Sequence, residues 1–188
     1  MIRRKRHFAI IRPRSPLVVD MVPFALLDDP LEYIFAEHVR QRAICAALQD
    51  FADEGRASRD EADKVTSFLI HDRVIHHADE DEDFFPAVRR RSLPEDNLGP
   101  VLARLADDHR RSDVIVEDIV AALTAHPERD PVVISRWAGE LMQVYAADEQ
   151  RHLAIENGVV LVIASIRLSR RDLRKMSVAM KARRGVET

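Results

Sequence analysis

A chain of 188 residues with a formal net charge of −3 fits one domain, long enough to bury about two thirds of its unfolded surface, and carries no cationic excess for nucleic acid. Only five glycines and two tyrosines, against abundant Ala, Leu, Val, Arg, Glu and Asp, favour helix over sheet and predict an all-α fold. The single Cys45 excludes an internal disulfide, points to a reducing compartment, and is expected to pack as a small apolar residue.

Residues 1–28 hold three prolines and no sustained period, and read as an N-terminal arm. Met1-Ile2-Arg3-Arg4-Lys5-Arg6-His7 has the charged front of an export signal, but Arg12, Arg14 and Asp20 interrupt the apolar stretch that should follow. The longest apolar run, Gly158 to Ile166, is far too short to span a bilayer, so a soluble, cytoplasmic protein with no membrane partner is expected.

Asp29-Pro30 supplies an N-cap and a first-turn proline for a helix to about Gly55, with Leu31, Ile34, Phe35, His38, Cys45 and Leu48 on one stripe. Ser58 with Glu61 forms a capping box for a second helix, whose stripe is Val65, Leu69, His76, Glu80 and Phe84 and which frays near Arg91. Gly99-Pro100 opens a third, with Leu102, Leu105, His109, Ser112, Val116, Ile119 and Leu123 aligned until His126-Pro127. Asp130-Pro131 repeats the first helix's start and predicts a fourth helix there, with Ile134, Trp137, Leu141, Tyr145, Asp148, His152, Glu156, Val159 and Ile163 in register. Ser169 caps a short, basic fifth helix. The sequence therefore divides into an arm, 1–28, and a helical bundle, 29–185.

Two segments carry the chemistry. His76-His77-Ala78-Asp79-Glu80 and His152-Leu153-Ala154-Ile155-Glu156 each put a histidine four residues before a glutamate, which stacks imidazole and carboxylate on one helix face. With neighbouring helices antiparallel, His38, His76 and His109 lie at nearly one depth, roughly 24 to 25 Å from the common end of the bundle, and His152 at roughly 31 Å. Six inward polar groups at one level need a partner, and a set rich in imidazole suits iron, zinc, copper or nickel where carboxylate and water alone would suit magnesium, calcium or manganese; iron is the leading expectation, with manganese or zinc behind it. Tyr145, two turns before His152 on the same stripe, is either a further ligand or a core tyrosine with its hydroxyl bonded nearby. His71, His77 and His126 fall off the stripes and are expected at the surface. Asp113 should face solvent or stand beside the ligands, Trp137 should pack, and Arg170, Arg171, Arg174 and Lys175 should coat the fifth helix.

With His38, His76-x-x-x-Glu80, His109 and His152-x-x-x-Glu156 in this order, the chain resembles the hemerythrin-like, HHE cation-binding family. The likeness includes His76 through Phe84-Phe85-Pro86 and His152 through Asn157. It implies an antiparallel up-down four-helix bundle around two oxygen-bridged, non-haem iron ions, with Glu80 and Glu156 as bridging carboxylates. Oxygen carriers of the family have a second histidine one turn after the third-helix ligand, where this chain has Asp113. The resemblance therefore implies a di-iron oxidoreductase acting on hydrogen peroxide, or on nitric oxide with peroxide. A reversible sensor or carrier of O2 or NO and an iron storage or delivery protein are the alternatives.

Overall fold

The computed structural model describes residue 17 and residues 19–187, so most of the expected arm, residues 1–16 and 18, lies outside the described residues. Helix dominates: α1 Pro30–Glu54, α2 over residues 59–91, α3 Leu98–Thr124, α4 Arg136–Arg167 and α5 Arg170–Arg183. A short 3-10 turn, Phe24–Asp28, precedes α1 and packs on α1 and α5. The expected start signals operate locally. Asp29 accepts from the Glu32 N–H with Pro30 in the first turn, Ser58 accepts from the Glu61 N–H, and Ser169 with Asp172 forms a reciprocal capping box. Gly55 ends α1 at φ 65°, a left-handed conformation that glycine adopts without a Cβ clash.

The fourth helix corrects the sequence reading. It starts at Arg136, capped by Ser135, and not at Asp130-Pro131. Val132–Val133 is drawn instead into a two-residue antiparallel ladder (β2) with Arg56–Ala57 (β1), pairing Val133 with Arg56 and Val132 with Ala57. The carboxylate of Asp130 accepts from the Arg59 backbone N–H at 3.1 Å, so it serves the start of α2.

Cross-helix bonds give the relative directions. Between α1 and α4, Asp53 meets Gln143, Gln49 meets Gln150 and His38 meets Asn157, so rising numbers on one helix face falling numbers on the other. Between α2 and α3, Arg59 reaches the Leu123 carbonyl, Arg73 reaches Ser112 and Asp113, and Asp81 faces His109 in the same opposed sense. Gly139 of α4 faces Ala52 of α1, where an added Cβ would lie 3.4 Å from it.

The core is split. One apolar cluster gathers Leu48, Phe51, Leu69, Val116, Ile119, Met142 and Tyr145, and a second gathers Ile34, Phe84, Phe85, Leu105 and Val160. Each fully buried Leu, Ile or Phe contributes about 1.5 to 3 kcal/mol, so both layers are strongly held. Along each of α1 to α4, a residue of one cluster and a residue of the other bracket His38, His76 with Glu80, His109, and His152 with Glu156. A polar layer thus crosses the bundle between two apolar ones. Phe35, Asp148 and Val159, expected on inward stripes, are exposed, and Trp137 is 56 % exposed. On α4 the inward face is Ala138, Met142, Tyr145, Glu149, His152 and Glu156, which displaces Trp137 and Asp148 to the outside.

Three stretches of wider, π-type helix interrupt the regular turns: Phe68–Asp72 and Asp79–Phe84 in α2, and Glu156–Val160 in α4. Such turns concentrate at functional sites. Here one contains Glu80 and another begins at Glu156.

Candidate metal centre

The polar layer brings together His38, His76, Glu80, His109, His152 and Glu156, all at most 4 % exposed. Their donor atoms form two groups, His38 with His76 and Glu80, and His109 with His152, Glu80 and Glu156, each within 4.8 Å internally. Glu80 belongs to both. Its Oε1 is 3.2 Å from His38 Nε2 and 3.1 Å from His76 Nε2, while its Oε2 is 3.4 Å from His109 Nε2. Glu156 is divided likewise, with Oε2 3.3 Å from His38 Nε2 and Oε1 3.4 Å from His152 Nε2.

The outer ring nitrogens fix which atoms face inward. His38 Nδ1 donates to Asn157 Oδ1 at 2.7 Å, and His109 Nδ1 donates to Asp81 Oδ2 at 3.0 Å. A neutral imidazole that donates through Nδ1 presents a bare lone pair at Nε2. The Nε2 atoms of His109 and His152 then meet at 3.1 Å, where at most one can carry a proton. Glu80 Oε2 and both carboxylate oxygens of Glu156 are buried without a hydrogen-bond partner. Lone pairs and anionic oxygens converging in a dry core need a cation, so these residues fit metal ions.

Without metal, protons fill that need. Burial opposes a charged His76, but Glu80, Glu156 and Glu37 outweigh it and raise its pKa to about 9. Burial is likewise overcome at His109, which Asp81, Glu80 and Glu156 raise to about 10, and at His152, raised chiefly by Glu156. Burial alone would raise the Glu80 carboxyl, yet His76, His109 and His38 hold it well below the usual carboxylate range. The same negative field that retains protons will retain a divalent cation in their place.

Around this layer lie residues the sequence reading missed or misplaced. His77, expected at the surface, is buried, its ring stacked on His109 at a centroid separation of 3.8 Å. The widened turn Phe68–Asp72 shifts the face of α2 and turns His77 toward α3. Burial, with the neighbouring His109 and Arg73, lowers the His77 pKa well below its ordinary value, so the ring stays neutral. Arg73, buried, donates to His77 Nδ1 at 3.1 Å, to Ser112 Oγ at 3.2 Å and to Asp113 Oδ1 at 2.6 Å. Asp113 therefore turns away from the polar layer, with its side chain 58 % exposed. Asp79, within the acidic run, is buried and clamped by Arg183 at 2.9 Å and Arg184 at 2.6 Å, which pins the end of α5 to the turn holding Glu80.

Tyr145 is buried in the apolar cluster beside the site and lines a cavity with His152 and Glu149. No hydrogen bond or ion pair among the described residues joins its hydroxyl to the six-residue layer. Burial, then the nearby Glu149 carboxylate, push its pKa well above the ordinary value, which keeps the phenol protonated in the metal-free protein. Glu149, Asn157 and Asp81 went unread as site residues. A polar residue directly after each of Glu80 and Glu156 and an acid three before His152 are the signals that could have found them.

Helices with an imidazole and carboxylate layer buried between two apolar clusters define a metal-binding helical bundle. The chain matches the hemerythrin HHE cation binding domain over residues 29–164 and belongs to that family. No curated protein matches it.

Proposed function

We propose that this chain is a non-haem di-iron protein, folded as an antiparallel up-down four-helix bundle with α5 as an accessory, that decomposes hydrogen peroxide or consumes nitric oxide together with peroxide. The observation that carries it is the division of each carboxylate: Glu80 and Glu156 each turn one oxygen toward His38 and the other toward His109 or His152. A divided carboxylate suits two ions side by side, and imidazole-rich donors suit iron, zinc, copper or nickel, of which iron supplies the redox chemistry that zinc lacks. Residues 29–185 act as one unit in this reading, because Arg183 and Arg184 tie α5 to Asp79.

Bound iron would supply one-electron redox chemistry at neutral pH. The chain's own work is positional. Asn157 and Asp81 hold His38 and His109 with Nε2 inward, the two glutamates fix the spacing of the two halves, and the apolar layers exclude bulk water. Two peroxides yielding two waters and one dioxygen balance without an outside reductant.

Reversible oxygen carriage is disfavoured, since the position one turn after His109 is Asp113, turned outward to Arg73. Iron storage would require ready exchange, against the burial of the six residues. No single helix among the described residues is long and apolar enough to cross a membrane, and a chain whose one cysteine, Cys45, is buried fits the cytoplasmic setting this reading assigns.

Metal analysis with a visible spectrum, followed by oxygen release from peroxide on an electrode, tests the proposal. Two irons per chain and peroxide-dependent oxygen evolution are expected. Iron-loaded protein that neither evolves oxygen nor consumes nitric oxide overturns the activity, and protein that takes up no transition metal overturns the class.

A further inference from the structure

Two openings approach the metal layer from different sides. A groove of about 670 Å³ between α2 and α3 reaches toward His109, and a cavity of about 300 Å³ between α3 and α4 is lined by His152, Glu149, Tyr145, Ser112 and Ile115. They are not equivalent. On the groove side, the stacked ring of His77 covers His109, and Arg73 locks His77, Ser112 and Asp113 together. That wall is a closed hydrogen-bonded plug.

On the other side no such plug stands over His152. The cavity has room for about ten water-sized molecules, enough for a small solute and its hydration but not for a folded ligand or a large cofactor. Its walls hold one buried polar group that the rest of the fold leaves unsatisfied. Glu149 is 6 % exposed, and its Oε1 has no hydrogen-bond partner. An orphaned buried carboxyl oxygen is costly, and a small turn of this carboxylate, whose side chain lines the cavity, lets it bond to a solute held there. The outer rim carries Arg104, Arg111 and Arg151 beside Asp108 and Asp148, with Arg111 paired to Asp108 and Arg151 to Asp148. Each rim arginine is paired with an aspartate, Arg104 and Arg111 sharing Asp108, which weakens the attraction for anions that unpaired arginines would exert and leaves the rim open to a small uncharged polar molecule.

We propose that the α3/α4 cavity is the entrance and waiting pocket for a small, uncharged hydroxylic solute such as hydrogen peroxide, and that the Glu149 carboxylate, which lines it, accepts a hydrogen bond from that solute beside His152. This deepens the di-iron peroxide reading and rests on it for the identity of the solute. The assignment of the opening rests on the cavity alone.

Two arms separate these dependences. The first needs no metal: a cysteine placed by Glu149→Cys in a Cys45→Ala background is labelled with a small methanethiosulfonate reagent, with and without the plug Ile115→Trp. Labelling that the plug slows by about tenfold or more, while Val74→Trp in the opposite groove leaves it unchanged, is the expected result. Labelling slowed by Val74→Trp, or by neither, overturns the entrance. The second arm uses iron-loaded protein with Glu149 intact and follows stopped-flow bleaching of the iron spectrum by peroxide. Ile115→Trp should slow the bimolecular step by about tenfold, and Glu149→Leu, which removes the acceptor at similar volume, should raise the apparent KM for peroxide several-fold with iron content and the iron spectrum unchanged. An unchanged KM in Glu149→Leu overturns the role of the carboxylate. Protein that binds no iron yet passes the labelling arm overturns the di-iron reading and leaves the opening assigned.

Discussion

The hydrogen bond from His38 Nδ1 to Asn157 Oδ1 sets which ring nitrogen faces the polar layer, and in the proposed metal centre its removal has a calculable effect. Asn157→Leu keeps the side-chain volume but removes the acceptor at 2.7 Å, so the His38 ring loses both its tautomer preference and its rotational stop. Loss of such outer contacts weakens metal binding by about 10- to 100-fold, or about 1.4 to 2.7 kcal/mol. Asp108 supplies an internal comparison. Its Oδ2 is 3.8 Å from His152 Nδ1, beyond hydrogen-bond reach, so Asp108→Asn should weaken binding by less than about fivefold. Competition with a chromophoric chelator under anaerobic conditions, with ferrous iron, measures both. Wild-type affinity in Asn157→Leu, or an equal loss in Asp108→Asn, would refute the argument that Nδ1 contacts aim the imidazoles.

Metal-free protein should lose stability as pH rises. His76 and His109 have folded pKa values near 9 and 10 against an ordinary 6.5, so their contribution is complete below pH 6.5 and disappears as the pH climbs through 9 to 10. Urea denaturation from pH 6.5 to 10 should show this decline, and iron-loaded protein a flatter profile; a metal-free protein that grows more stable over that range contradicts the assignment. At Gly139 the available Cβ space of 3.4 Å is ordinary contact, so Gly139→Ala should be neutral or stabilise by up to about 1 kcal/mol, whereas Gly139→Leu should destabilise by about 1 to 3 kcal/mol through forced separation of α1 and α4. Thermal melts distinguish the pair. Asp172→Ala removes the acceptor for the Ser169 N–H, 3.1 Å away, and for Arg91 Nε, 2.8 Å away, and should destabilise by about 1 to 2 kcal/mol in urea unfolding.

Most of the layout was legible because the signals were local and agreed. Asp29-Pro30, Ser58 with Glu61, and Ser169 are cap chemistry that depends on a few adjacent residues, and each acts as read. The common depth of the histidines was legible because helical rise is nearly constant. The one discrepancy, a full turn at His152, came from starting the fourth helix at Asp130. Measured from Arg136, His152 lies about 24 Å along the helix, level with the others. What overrode the Asp-Pro signal was a non-local event, the pairing of Val132–Val133 with Arg56–Ala57, which no window around Pro131 contains. His77 was misread for a related reason: strict 3.6-residue counting has no term for a widened turn, and three of them occur in α2 and α4. Glu149 was missed because Asp148 beside it fitted the idealised stripe better.

Each widened turn amounts to one peptide unit spliced into an otherwise regular helix, and one unit corresponds to about 100° of rotation. Taking out one residue between Asp79 and Phe84 would mend the helix and leave Phe84 and Phe85 on the apolar layer they complete, because the wide turn had already absorbed the extra unit; the same deletion in a regular turn would swing everything beyond it by that angle. Exchanging a side chain in the same tract disturbs only one position. In these stretches the chain therefore absorbs a change of length that the regular turns on either side do not, and deletion scanning will find a boundary that substitution scanning passes over.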